Sequence, residues 1–206
     1  MVSLKKYFSS YEFRRKAAHI IGCLLVVILI NIDMGIIYAY LNLILLGLIL
    51  ALIMMSMAVK YRLFRPIAIL FEFFDKPKDF SRFPGKGGIY YLTGILITVL
   101  LFDRDIASAS IIILALGDPA AHLIGKYYGK TKLIINKKKV LEGTLAGTVM
   151  GLLGALFFVP FHIAFIGAAC GMAAETVELE YLNMDDNFVI PIVAGTVMQL
   201  TILLKI

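Results

Sequence analysis

The chain has 206 residues, 61% of them hydrophobic and only 17% charged, with a formal net charge of +6 and a mean hydropathy of +0.91. A soluble domain averages about 45–50% apolar and about 25% charged residues, so this composition excludes a soluble globular protein and implies an integral membrane protein. No polar stretch between the apolar runs is long enough to bury a core of its own, which implies one domain over residues 1–206.

A membrane-spanning helix needs about 20 mostly apolar residues. Seven runs are candidates, near residues 17–32, 35–58, 88–102, 106–126, 143–161, 163–179 and 188–205, the first and sixth being short. The expected architecture is therefore all-α: a polytopic membrane helix bundle of about seven transmembrane helices. Lys5, Lys6, Arg14, Arg15 and Lys16 precede the first run, and no small-residue cleavage pattern follows it, so no cleavable signal is expected. Between the second and third runs, LFRPIAILFEFFD (Leu63 to Asp75) is aromatic-rich and too short to cross, and reads as a short interfacial helix. PGKGG (Pro84 to Gly88) then makes a flexible turn. Cys23 and Cys170 lie in apolar runs at no ligand spacing and read as packing residues.

Basic residues concentrate on the cytoplasmic side of membrane proteins. With the N-terminus cytoplasmic and seven spans, only Arg104 and Lys205 of the 20 basic residues fall outside. The chain is thus expected in a cell membrane of a prokaryote or an ER-type membrane of a eukaryote, with the C-terminus outside and the working face cytoplasmic. No nucleic-acid partner is expected.

The stretch GDPAAHLIGKYYGKTKLIINKKKVLEGTLAG (Gly117 to Gly147) carries most of the chemistry. An intramembrane Asp costs about 2.5–3.5 kcal/mol on insertion scales and generally faces a polar cavity. Asp118 either lines such a cavity or hydrogen-bonds a neighbouring helix, and Gly117 and Pro119 are expected to break the helix there. His122 shares its face, as a carboxylate or phosphate contact or as a packing residue. GKYYGKT (Gly125 to Thr131) is a poor P-loop, having three residues where four are needed and no preceding strand. Lys126, Lys130, Lys132, Lys137, Lys138 and Lys139 form a dense positive loop, either a membrane anchor or a neutraliser of polyphosphate. Glu142, Gly143 and Thr144 open the fifth run, where an acid suits the helix dipole and free N–H groups suit a phosphate. Gly143, Gly147 and Gly151 recur every four residues as a face for close helix packing, within one chain or between copies.

Glu12, Arg15, Lys16 and His19 share a helix face at the inner edge of the first run. Surface anchoring accounts for Arg15 and Lys16, whereas His19 lies at the depth of the other polar groups. Glu175 comes late in the sixth run. Asp185, Asp186 and Asn187 precede the seventh, as N-cap residues or as oxygen ligands for Mg²⁺.

In this order, ExxRKxxH (Glu12 to His19), KGxxYYLxG (Lys86 to Gly94), GDxxAxxxGxxxGK (Gly117 to Lys130), KxxEGT (Lys139 to Thr144) and E…DDNxxxP (Glu175 to Pro191) resemble the dolichol kinase, phytol kinase and CTP-dependent diacylglycerol kinase family. The family usually has Ser or Thr after the lysine of its KSxEGS motif, where this chain has Val140. The resemblance implies transfer of the γ-phosphate of CTP to a lipid alcohol, with Mg²⁺ as cofactor and the bilayer, a nucleotide and a lipid alcohol as partners. It implies Asp118, Asp185, Asp186 and Glu142 as metal or phosphate-positioning groups, and Asp118, Glu175 and His19 as catalytic groups. Lys126, Lys130, Lys132, Lys139, Gly143, Thr144 and Arg15 would meet the nucleotide. Two other readings stay open: a cytidylyltransferase acting on a phospholipid, and a small transporter using Asp118 and His122 as an ion relay.

Overall fold

The computed structural model describes residues 11–32, 35–61, 65–74, 83–177 and 185–205. Lys5, Lys6 and the ends of the expected interfacial helix, Leu63 and Asp75, lie outside the described residues. Within them the protein is all-helical, with α1 over Tyr11–Asn31, α2 over Gly35–Lys60, α3 over Arg65–Phe74 and α4 over Lys86–Leu101. Then follow α5 over Arg104–Tyr128, α6 over Leu141–Ala155, α7 over Phe161–Glu175 and α8 over Asp186–Leu204. Among the described residues three stretches are long and apolar enough to cross a membrane: Tyr40–Lys60, Arg104–Tyr128 and Asp186–Leu204. Helices α4, α6 and α7 are apolar but shorter, 16, 15 and 15 residues, or about 23 Å against a hydrocarbon core of about 30 Å. Where seven spans were expected, the described residues hold three full-length candidates and these three shorter apolar helices.

Helix α5 is the hub. Its Ile111, Ile113 and Leu114 are fully buried, and Asn31 at the end of α1 donates to the Ser108 hydroxyl at 2.9 Å. Proline at position 119 supplies no backbone N–H and conflicts with a regular ladder. The helix does not break there, as the sequence led one to expect; a π-turn over Ile113–Gly117 absorbs the irregularity and α5 runs on through Asp118. Single π-turns of this kind widen a helix locally and recur at functional sites.

Helix α6 lays its glycine ridge along that turn. A Cβ at Gly147 would stand 2.8 Å from the Gly117 carbonyl oxygen, and one at Gly143 2.7 Å from the Ala121 carbonyl oxygen. Backbones approach this closely only where side chains are absent. The close approach sets the first turn of α6 beside Asp118.

The amphipathic α3 is tied to α1 by Arg14, which donates to the Phe73 carbonyl at 3.2 Å and lies 3.9 Å from the Phe73 ring centroid. Its Phe71 is buried against Gly85, whose φ of 75° needs glycine and whose missing Cβ leaves room for that ring. The turn at Pro84–Gly85 thus fixes where α4 starts.

Candidate active site

Residues from α1, α5, α6, α7, α8 and the loop before α6 line one polar cavity of about 410 Å³. Asp118 enters it from just past the π-turn, almost fully buried, and Lys16 of α1 donates a hydrogen bond to its Oδ2. Glu12, one turn before Lys16, accepts from Lys126, and His122 Nε2 stands 3.7 Å from the same carboxylate. The stripe on α1 and the stripe on α5 therefore face each other, sign against sign.

The loop brings the third cation. Residues 131–141 fold back on themselves: Leu133 donates to the Lys139 carbonyl at 3.1 Å, and Leu141 to the Thr131 carbonyl at 2.9 Å. At the turn, the buried Asn136 side chain accepts from the Lys138 amide at 3.0 Å. This hairpin projects Lys138 and Lys139 into the cavity. Lys139 Nζ donates to Glu175 at the end of α7 and to Asp186 Oδ2 at 2.9 Å at the start of α8. Burial alone would lower the pKa of this ammonium, but the carboxylates of Glu175 and Asp186 outweigh it and hold the group well above its ordinary 10.5. Asp185 caps α8 by accepting from the Asn187 amide at 3.0 Å, and its burial pushes its carboxyl above the usual range.

Among the described residues no three His, Cys, Asp or Glu side chains form a ready metal cage. The cavity instead offers oxygen donors singly: Asp118, Asp185, Asp186 and Glu175, whose Oε2 is buried without a hydrogen-bond partner. Such a donor set suits Mg²⁺, which is commonly held by one or two carboxylates together with phosphate oxygens.

Asp118, Glu175, Asp185, Asp186, Lys126, Lys139, Gly143, Thr144 and Arg15 all line this cavity. His19, buried on α1, lines a neighbouring one instead. Glu142 stands apart from both, turned onto Thr131, which donates to it from its amide at 3.0 Å and its hydroxyl at 2.9 Å. Its own backbone amide, and then the Thr131 and Lys130 groups, hold that exposed carboxyl down to about 2. Glu142 therefore pins the hairpin and does not line the polar cavity. Lys130 and Lys132 are exposed and likewise absent from the lining. Three further charged residues line the cavity: Lys16, whose sequence position suggested only surface anchoring, Lys138 of the positive loop, and Glu12, which had no role. A buried Asp118 demands a cation, and the three-and-four spacing of Glu12, Lys16 and His19 was the available signal that α1 supplies it.

Comparison with known proteins adds an independent line. Over 140 residues the chain is 27% identical to CTP-dependent diacylglycerol kinase 1 of Eremothecium gossypii, covering 55% of this chain and 44% of that one. It is 30% identical over 132 residues to the enzyme of that name from Schizosaccharomyces pombe (56% and 60% covered). A probable chloroplastic phytol kinase of Triticum aestivum is 33% identical over 123 residues (52% and 41% covered). The chain spans about half the length of the curated relatives it matches. No family model and no solved structure matches. The homologues of this all-helical chain are thus CTP-dependent diacylglycerol kinases and phytol kinases, the group its sequence motifs resemble.

Proposed function

We propose that this protein is a membrane lipid-alcohol kinase that moves the γ-phosphate of CTP to a lipid hydroxyl. The observation that carries the reading is the meeting of Asp118, Lys139, Glu175 and Asp186, distant in sequence, in one cavity with Arg15, Lys16 and Lys126. A chain with relatives that phosphorylate lipid alcohols needs such a place for a triphosphate beside carboxylates. Phosphoryl transfer is mostly a matter of positioning and charge neutralisation.

In this reading Lys126, Lys138, Lys139 and Arg15 take the phosphate oxygens, and Gly143 and Thr144 offer the first turn of α6 to them. Asp118, Asp185 and Asp186 would hold Mg²⁺, which when bound would offset phosphate charge. The lipid oxygen forms a bond to the γ-phosphorus as the bond from that phosphorus to the β–γ bridging oxygen breaks. CDP leaves with the electron pair, and the hydroxyl proton passes to Glu175 or His19. The bias of basic residues supports a cytoplasmic face for this chemistry.

The test is the full-length protein in vesicles with CTP or ATP labelled at the γ-position, against diacylglycerol, phytol and a polyprenol, with products identified by mass spectrometry. Labelled lipid monophosphate and CDP are expected. Transfer of CMP with release of pyrophosphate would identify a cytidylyltransferase. Solute uptake without nucleotide turnover would identify a transporter, and either would overturn the reading.

A further inference from the structure

A second cavity, of about 270 Å³, lies between α1, α2, α3 and α4 and is walled by Ala18, Leu52, Met55, Phe71, Phe74 and Tyr91. It is not isolated. Arg15, Lys16 and Asn187 line both this space and the polar cavity, so the two adjoin across a thin charged wall. Lys16 is the central piece of that wall, since its ammonium is the one that holds Asp118. His19 also lines the apolar space; it is 8% exposed, and its Nε2 is buried without a hydrogen-bond partner among the described residues. An unmet buried ring nitrogen beside a largely apolar chamber is costly unless a ligand completes it.

We infer that this apolar cavity is the acceptor site: the segment of the lipid alcohol next to its hydroxyl lies against Met55, Phe71 and Tyr91, with the hydroxyl at the Arg15–Lys16–Asn187 wall and hydrogen-bonded to His19 Nε2. The inference rests on the kinase reading above and adds which face takes the lipid and which residue takes its proton. Ligand cavities commonly measure about 300–1,000 Å³, so this one holds only the hydroxyl-proximal part of a long lipid. The remainder extends along the exposed apolar side chains of α3, Ile69 and Phe73, into hydrocarbon. Helix α3 is then the flap between bilayer and site, held to α1 through Arg14. Glu175 lines only the polar cavity and is engaged by Lys139, which leaves His19 as the group on the lipid side. The transfer is the one written above, with the hydroxyl proton going to His19 Nε2.

Gly87 supplies the test. It lines the apolar cavity, and a Cβ there would meet nothing within 4 Å, so the side chain of Gly87→Leu starts in open space and is chosen to occupy the cavity. The variant, reconstituted in vesicles beside the parent, is expected to raise the KM for the lipid alcohol at least 10-fold and leave the KM for CTP within twofold. His19→Ala is expected to lower kcat about 10²-fold or more, the ordinary weight of a positioned base, with both KM values within threefold. A photoactivatable lipid alcohol should label parent peptides carrying Met55, Phe71 or Tyr91, with or without CTP. An unchanged lipid KM in Gly87→Leu, a rise in the KM for CTP instead, or labelling confined to the outer face of α2 would overturn the inference. Those results presuppose a parent that phosphorylates lipid; a parent that phosphorylates none would sink the kinase reading itself.

Discussion

Of helices α2 and α5, the more apolar is the less buried: 22% of the most apolar window of Tyr40–Lys60 is inside the protein, against 72% for Arg104–Tyr128. In a soluble protein that order would be reversed. Here Leu43, Leu46, Leu50 and Met54 of α2 face outward, whereas α5 buries Ser108, Ser110 and Asp118. Hydrocarbon solvates leucine as well as a protein interior does, so hydrophobicity does not drive helices together in a bilayer. Close packing and polar pairing do, and both are concentrated on α5. The comparison teaches that in this chain the polar exceptions mark the interior and the site together.

The largest break in that comparison is Asp118→Asn. Removing a preorganised charge from a phosphoryl-transfer site is expected to reduce lipid phosphorylation about 10²–10³-fold or more, measured as label transferred from CTP. Because Lys16 would be left as an unpaired buried charge, stability should fall as well, by about 3–5 kcal/mol. The double variant Asp118→Asn/Lys16→Met separates the two effects. It should recover much of the thermal stability in detergent and none of the activity. Recovery of activity would reduce Asp118 to a structural partner of Lys16.

Gly147→Ala comes next and acts on packing. The new methyl would lie 2.8 Å from the Gly117 carbonyl oxygen and 2.5 Å from Met172 Cε, so α6 must move off the π-turn. Overpacking of this kind costs about 1–3 kcal/mol. Since Asp118 follows Gly117 directly, activity should fall along with the midpoint of unfolding. A variant as stable and active as the parent would mean that the glycine ridge does not set the distance between α5 and α6.

Lys139→Ala sharpens the comparison within the cavity. Loss of one charge-assisted contact, about 1.5–3 kcal/mol, should raise the CTP concentration for half-maximal rate 10-fold or more. Its sign with pH follows from the raised pKa: Lys139 stays charged below its ordinary 10.5, and its contribution is lost only as pH climbs beyond it. The CTP requirement of the parent should therefore be flat from about pH 7 to 9. A rise over that range would show that Lys139 titrates there, which its two carboxylates forbid.

How much of this was legible beforehand differs by element. Apolar run length found the long helices, missing by most at the start of α1 and the end of α6, because a run near 20 residues has few other uses. Asp118, Glu175, Asp185 and Asp186 stood out because an acid beside an apolar run needs a reason. The lysines did not sort themselves: Lys130 and Lys132 looked the equals of Lys139, and only the fold-back at Asn136 separates them. Glu142 was a ligand by the family resemblance alone; in the fold Thr131, eleven residues earlier, donates to it. The apolar cavity was invisible, since which faces of α2, α3 and α4 meet is a property of packing and leaves no periodic trace. The π-turn was half visible: Gly117 and Pro119 announced an irregularity without saying that the helix would survive it.

The smallest expected effect is on α2, at Gly47. It is the same residue type as Gly147 in a helix of the same kind, but a Cβ there would meet nothing within 4 Å. Gly47→Ala therefore adds no clash and removes backbone freedom that a mid-helix glycine keeps in the unfolded chain. The expected outcome is neutral to mildly stabilising, by at most about 0.5–1 kcal/mol, with activity unchanged. Measured beside Gly147→Ala in the same detergent, the pair isolates what surrounds each glycine from what glycine is. If Gly47→Ala destabilised as much as Gly147→Ala, the outward face of α2 would be packed against something, and the assignment of that face to lipid would fail.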